Sequence, residues 1–495
     1  MIGVLPLPAA PQLLFPFSLQ LPQGMAFSMM LTFIAVGCAG MASLWVSGKR
    51  GALLPAALQL GGAVAALAAR DLVSLLIAWE LLTVSGFALI RYQTSSYRLH
   101  AALRYFVIHI AAAMLLMIAM IIQARVQGSL AIAMLVPAAQ PFAAAAVCIK
   151  TGVVPFHAWL VKTYPEVDPD VTPVLAAFTT KVAIISGMRL LQLPAAGIAV
   201  LAIVGLISIL VAGVAAVRQN NLRRMFCWGL SSQLGYLLLL AAIMQPRHYQ
   251  LLYGIIIAHT LYQTGMFITL AGISKRYGHE DLRRMLYEAR VSWFTVGLMV
   301  VFILSMIGFP YTMGFIGKEL TKLFPLSRPL MLVVEVGYTL HLLAALKAAA
   351  VLFRNGPLSS SRVYLQRPLH HSMVAAGLPA MLTIVFGLLP QLLPGFQLDP
   401  EISLPGLVPF MLRIITAAGL WVLLRRQIIH QVAVDLRRDA WFAASPLQAA
   451  LTKSLLPLRY AARVVHSIGP QRQVLLLLVS VMALHLLLVT LGGAG

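Results

Sequence analysis

Three ionisable residues sit where a chain can least tolerate them. Lys150 falls in AAAAVCIKTGVVPF, Lys181 in VLAAFTTKVAIISG and Glu80 in LVSLLIAWELLTVSGF, all apolar runs that read as membrane-spanning helix. An ionisable group at the centre of such a helix costs about 2.5–3.5 kcal/mol on insertion scales, so each needs a compensating role. Moving protons or cations is the chemistry that buried amines and carboxylates suit. Two further stretches are too long for one crossing and carry proline in the middle: residues 130–161, with Lys150 five residues before Pro155, and residues 292–324, where Gly308 to Pro310 precede Lys318. Proline removes a backbone donor and releases a carbonyl that lipid cannot satisfy, so such a break persists where protein or water lines it. A proline kink with a snorkelling lysine accounts for either span alone; two together point to an ion path.

The surrounding composition says what must position these residues. Of 495 residues, 60% are hydrophobic and 10% charged, and the mean hydropathy is +0.90. A soluble core could not hide that much apolar surface. The chain is expected to be an all-α polytopic membrane protein of about 14 transmembrane helices, starting near residues 25, 52, 71, 99, 130, 171, 195, 224, 249, 292, 329, 372, 405 and 473. The net charge of +22 would suit nucleic acid only on a basic soluble face, whereas here the Lys and Arg residues lie in short loops between apolar runs. Alternate loops are very unequal in those residues, and the positive-inside rule puts residues 91–98 and 274–290 in the cytoplasm. A multi-pass protein of a bacterial inner membrane is therefore expected.

Nothing points to redox chemistry or a bound metal in the chain. Cys38, Cys148 and Cys227 have no paired or metal-type spacing, and there is no nucleotide-binding glycine motif, so no catalytic site and no cofactor are expected. Any redox chemistry would belong to hydrophilic or soluble partner subunits.

The broken spans suggest a repeat. Residues 1–51 read as an N-terminal segment with the first span, 52–192 and 195–354 as two five-helix units, 355–425 as two further spans, and 426–495 as an amphipathic segment with a final span. In each unit the broken helix is the fourth, and Lys181 in the fifth helix of the first unit is mirrored by His341 and Lys347 in the second. An odd number of helices per unit makes the two inverted repeats, a recurrent transporter design. The basic segment 425–472 is too polar to span and would lie against a partner's helices or anionic lipid.

Five ordered segments then carry a family resemblance: AWELLTVSGFALIRY, KTGVVPFHAWLVKTYPEVDP, TPVLAAFTTKVAIISGMRLL, NNLRRMFCWGLSSQLGYLLLL and LSMIGFPYTMGFIGKELTKLF. They resemble the antiporter-like membrane subunits shared by respiratory complex I (NADH:quinone oxidoreductase), Mrp-type cation/proton antiporters and energy-converting hydrogenases. The likeness covers residues 25 to 425. It implies a proton path of buried charges, with Glu80 matching the glutamate of the WELL segment, Lys150 the lysine before PFHxWL, Lys181 the lysine of the next helix and Lys318 the lysine after GxPxxxGF. In that family a glutamate and a lysine form a coupled pair, and lysines pass protons along a hydrated axis at mid-membrane. A carboxylate that approaches or leaves a buried amine makes it hold or release its proton. Histidine can bridge such sites.

His259 matches the family's histidine in AHTLYQTGMF, but Gln263 stands where a lysine is often found and cannot take up a proton. Family members usually carry two further helices before the equivalent of residue 25. The path expected here comprises Glu80, Lys150, Lys181, His259, Lys318, His341 and Lys347, with His109, His157, Lys322 and Glu335 as weaker candidates. Glu80 could instead neutralise a basic residue in a neighbouring helix, and His157 could pack or cap. Three functions fit: a proton-translocating subunit of a redox-driven complex, a cation/proton antiporter subunit, or the membrane partner of a bicarbonate- or carbon dioxide-concentrating complex. All three need membrane subunits and lipid around the chain.

Overall fold

The computed structural model describes residues 19–396, apart from 93–95, 133–134, 192, 246–247, 289–290, 322–323, 325 and 354–370, together with scattered residues between 411 and 422. The described residues form helices and no sheet beyond isolated bridges. In order these are α1 (Met25–Val46), α2 (Leu53–Ala68), α3 (Leu72–Arg91), α4 (Ser96–Gln127), α5 (Gln140–Thr151), α6 (Ala158–Thr163), α7 (Thr172–Leu190) and α8 (Ala195–Arg218). There follow α9 (Leu222–Ala242), α10 (Tyr249–Tyr277), α11 (Leu282–Glu288), α12 (Trp293–Ile307), α13 (Met313–Thr321), α14 (Arg328–Leu352) and α15 (Gly377–Leu388). Nine helices among the described residues are long and apolar enough to cross a membrane. The span expected near 473 and the segment 426–495 lie outside the described residues, and of the span expected near 405 only scattered residues between 411 and 422 are described.

Burial sorts the helices into a centre and a rim. The most apolar windows of α7, α9 and α10 are 89–94% buried, whereas those of α2, α4 and α8 are 44% buried and turn one side outward. The sequences agree, since each central helix carries several buried polar side chains whereas α8 is almost purely aliphatic. Helices α8 and α9 approach closely, since a Cβ on Gly205 would stand 2.6 Å from the carbonyl oxygen of Gly235. With no such side chain, backbones can touch, as small residues permit between membrane helices.

One device occurs twice. Asp71 caps α3 by accepting from the Ser74 amide at 2.8 Å, and it pairs as an isolated bridge with Ala131 beyond α4. Asn221 caps α9 by accepting from the Arg224 amide at 2.9 Å, and it pairs with Asp281 beyond α10. Each cap satisfies an orphan donor of the first turn. The bridges use up the neighbouring backbone groups, with Leu72 donating to Leu130 and Leu222 to Glu280, both at 2.8 Å.

The first of these bridges corrects one expected boundary. The fourth span of the first unit starts at Gln140 and not near 130, because the residues between are held by the Asp71 bridge and interrupted by Pro137. Both long spans are broken as their prolines and glycines predict: α5 stops at Thr151 and α6 starts at Ala158, while α12 stops at Ile307 and α13 starts at Met313.

Candidate functional site: buried cations beside two broken helices

The break between α5 and α6 is built from its freed backbone groups outward. Gly152 is left-handed at φ 78°, and a Cβ there would meet Leu160 and Trp159 at 3.1 Å, so glycine is required. The carbonyl of Ile149 accepts from the Trp159 indole at 2.9 Å, and that of Gly152 accepts from the Ser231 hydroxyl at 2.8 Å. The Val154 amide donates to Ser208 Oγ at 3.2 Å, and Ser208 in turn donates to the Ser231 carbonyl at 3.0 Å. Two serines on α8 and α9 therefore hold a break in a distant part of the sequence.

Lys150 lies one turn before that break and is completely buried. Its Nζ donates to the Trp79 carbonyl at 3.2 Å and to Thr83 Oγ1 at 3.1 Å, and stands 4.9 Å from the Trp79 ring centre. Glu80, next to Trp79 on α3, is half-buried and within electrostatic reach of Lys150. The lysine's hydrogen bonds go to Trp79 and Thr83 and not to this carboxylate, one of whose oxygens is buried without a hydrogen-bond partner among the described residues. The Trp79 indole donates to Ser186 Oγ at 3.1 Å, which ties this cluster to α7. Lys181, also on α7 and completely buried, donates to the Ala176 carbonyl of its own helix at 2.5 Å.

The second cluster surrounds a small cavity. His259, Lys318 and His341 line it with Gln233, Tyr236 and Tyr338, and its volume is about 30 Å³. That is room for about two waters at ~10–15 Å³ per water centre. His259 lies within electrostatic reach of both Lys181 and His341. Its two ring nitrogens, Gln233 Oε1 and Gln263 Nε2 are buried without hydrogen-bond partners among the described residues. Buried polar groups of this kind call for water. Lys318 is 3.7 Å from the Tyr338 ring centre, and its stem runs against left-handed Gly308, where a Cβ would meet Lys318 Cδ at 2.3 Å. His341 places Nδ1 2.7 Å from the Gly337 carbonyl and Nε2 3.0 Å from that of Gly229. Only a doubly protonated ring donates to both.

Lys347 stands apart from this group. Its Nζ donates to the carbonyls of Val217 and Gln219 at 3.1 and 2.8 Å and to Asn220 Oδ1 at 3.0 Å, so it closes the C-terminus of α8. A cation there meets the negative end of the helix dipole. Its place in α14 makes it a candidate path residue, and the three acceptors lie at the end of α8 rather than at the cavity. His157 packs 4.9 Å from Trp228 beside the break. Lys322 lies outside the described residues.

A cluster on the basic face went unnoticed in the sequence. Glu166, Asp168 and Asp170 alternate in PEVDPD, in a chain with only 14 acidic residues, and each meets a cation from a different part of the chain. Arg104 pairs with Glu166 at 3.1 Å, Lys49 with Asp168 at 2.8 Å, and Lys275 with Asp170. Burial pushes the Asp170 carboxyl above the usual carboxylate range against the pull of Lys275. The scarcity and alternation of the acids were the available signal. Among the described residues no group of three metal-ligating side chains occurs.

With this geometry in hand, comparison with known proteins gives three results. The family model described as NADH:quinone oxidoreductase/Mrp antiporter, TM, matches residues 69–342, a stretch that includes every candidate path residue but Lys347. The chain is 28% identical over 366 residues to NADH-quinone oxidoreductase subunit N of Thiobacillus denitrificans, covering 67% of this chain and 72% of that one. It is 27% identical over 378 residues to the subunit N of Acinetobacter baumannii, covering 70% and 75%. Among solved structures, a chain of the Mrp complex from Dietzia sp. DQ12-45-1b superposes with a TM-score of 0.62 at 20% identity, over 74% of this chain and 81% of that one. A chain of the membrane-bound sulfane sulfur reductase, an archaeal respiratory membrane complex, superposes at 0.65 and 20% identity over 93% and 83%. These two likenesses concern the fold alone.

Proposed function

The chain belongs to the NADH:quinone oxidoreductase/Mrp antiporter membrane family, and we propose that it moves protons, or exchanges cations for protons, as one membrane subunit of a multi-subunit complex. The proposed path runs from Glu80 and Lys150 through Lys181 and His259 to His341 and Lys318. The observation that carries it is the gathering of His259, His341 and Lys318 around one buried cavity, with Lys181 within electrostatic reach of His259. Unpartnered nitrogens around a cavity for about two waters support a hydrated relay there. At the first cluster, Glu80 is the variable element. Its approach stabilises the ammonium of Lys150, and its withdrawal leaves a buried amine that gives up its proton readily. Lys347 is omitted because its three acceptors give it a structural task.

Two finer readings accompany this one. About 14 spans with inverted repeats over 52–192 and 195–354 are supported by the twin caps and bridges, Asp71 with Ala131 and Asn221 with Asp281. The basic loops 91–98 and 274–290 put those two devices on opposite membrane faces, as inversion requires. Membrane partners are supported by Glu80 itself, whose partly exposed side would otherwise meet lipid. The 426–495 segment would brace such a partner, and a bacterial inner membrane suits the bacterial relatives.

The test is proton movement in inverted vesicles from cells carrying Glu80→Gln or Lys150→Ala, energised with NADH and, separately, with an imposed sodium gradient. Both variants are expected to assemble and to transport at background. Wild-type transport in either would overturn the pair.

A further inference from the structure

We propose that His109 on α4 is a further proton-carrying residue, connecting Lys150 to the hydroxyls of Tyr105 and Thr179 and from there to the basic face. The inference rests on the path reading above. His109 is completely buried, and neither ring nitrogen has a hydrogen-bond partner among the described residues. Its ring packs between Tyr105, tilted by 43° at 4.1 Å, and Trp159, edge-on at 4.4 Å. The Trp159 indole is bonded to the carbonyl of Ile149, the residue before Lys150, and Lys150 lies within electrostatic reach of His109. On the other side, the Tyr105 hydroxyl is 3.3 Å from Thr179 Oγ1 and 3.5 Å from the Leu82 carbonyl. Arg104, its neighbour in sequence, forms the surface pair with Glu166.

The order along α4 is therefore an ion pair at the basic face, then a hydroxyl pair, then an imidazole within electrostatic reach of Lys150. A merely structural ring in this aromatic box would be better served by an apolar side chain, since two buried nitrogens without partners lose their hydration and gain nothing. Proton carriage uses both. A proton arriving from the Tyr105 side binds the bare ring nitrogen and makes an imidazolium; the imidazolium then gives up its other proton, through a bridging water, to the neutral amine of Lys150. The amine becomes ammonium and the ring returns to neutral, so charge and protons balance, and the reverse sequence returns the proton.

His109→Leu fills the box without nitrogens, and His109→Gln keeps hydrogen-bonding capacity without a titrating group. In the inverted-vesicle assay both are expected to cut transport by at least about tenfold, the low end of what a positioned acid–base group supplies. Co-purification with partners and thermal midpoint should stay at or above wild type. Wild-type transport in His109→Gln, beside a dead Lys150→Ala control, overturns the role of His109 alone. If Lys150→Ala also transports normally, the path reading itself falls. Should neither His109 variant assemble, ¹⁵N NMR of labelled histidines in the wild-type complex decides, because energisation should raise an imidazolium signal at assigned His109. An unchanged neutral signal there overturns the proposal.

Discussion

The two broken helices answer the same physical problem in different ways. Between α5 and α6, freed backbone groups are taken up by side chains from elsewhere: Ser208, Ser231 and Trp159. The neighbouring Lys150 is completely buried and holds two acceptors. Between α12 and α13 the break closes on itself, with the Gly314 amide donating to Ser305 Oγ at 3.1 Å and the Thr312 hydroxyl to the Phe309 carbonyl at 2.7 Å. Its lysine, Lys318, comes after the break, lies over a tyrosine ring and borders a cavity. A break held by distant helices fixes its lysine, whereas one that closes on itself leaves room for water. The first suits a gate set by a carboxylate and the second a relay.

The strongest way to break this contrast is at the two glycines. Gly152→Ala forces a side chain into a left-handed position against Trp159 and Leu160, and strain plus overpacking should cost about 2–4 kcal/mol, read as loss of assembled complex. Gly308→Ala should be better tolerated as a fold, because the clashing group is the flexible stem of Lys318, yet it should stop transport by displacing that lysine. Equal loss of assembly in both would erase the distinction.

A smaller effect is expected from the serines. Ser231→Ala leaves the Gly152 carbonyl without its donor and should lower stability by about 1–3 kcal/mol. Ser305→Ala makes the same kind of change at the second break. If the first break positions Lys150, only Ser231→Ala should also slow transport beyond its effect on protein level, as vesicle assays normalised to assembled complex would reveal.

Lys347→Met should lower thermal stability by about 1–2 kcal/mol while leaving transport per assembled complex unchanged. Background transport with normal stability would return Lys347 to the path. The mildest change is Tyr338→Leu, which removes a cation–π contact of about 0.5–2 kcal/mol and should reduce transport several-fold without affecting assembly.

Much of this was legible in the sequence because lipid makes charge conspicuous. Glu80, Lys150, Lys181 and Lys318 stand out as charges in apolar runs, and the breaks as proline and glycine in spans of double length. Periodicity and hydropathy say nothing about which distant side chain meets a freed carbonyl, so Ser208 and Ser231 were invisible. Lys347 looked like Lys181 because both are lysines in apolar helices; only three-dimensional packing reveals that one meets a neighbour's helix end. The start of the fourth span was misjudged for a related reason. Residues near 131 are apolar enough to continue a helix, yet a backbone bridge to Asp71 holds them extended.

The PEVDPD loop has a mechanical consequence. Through Lys49 just beyond α1, Arg104 in the first third of α4 and Lys275 in the last turn of α10, it joins three helices to the short segment between the first broken helix and α7. Helices fastened to one strap cannot splay one at a time. The three ion pairs couple those helices at that face, so a displacement of one is passed to the others through the loop.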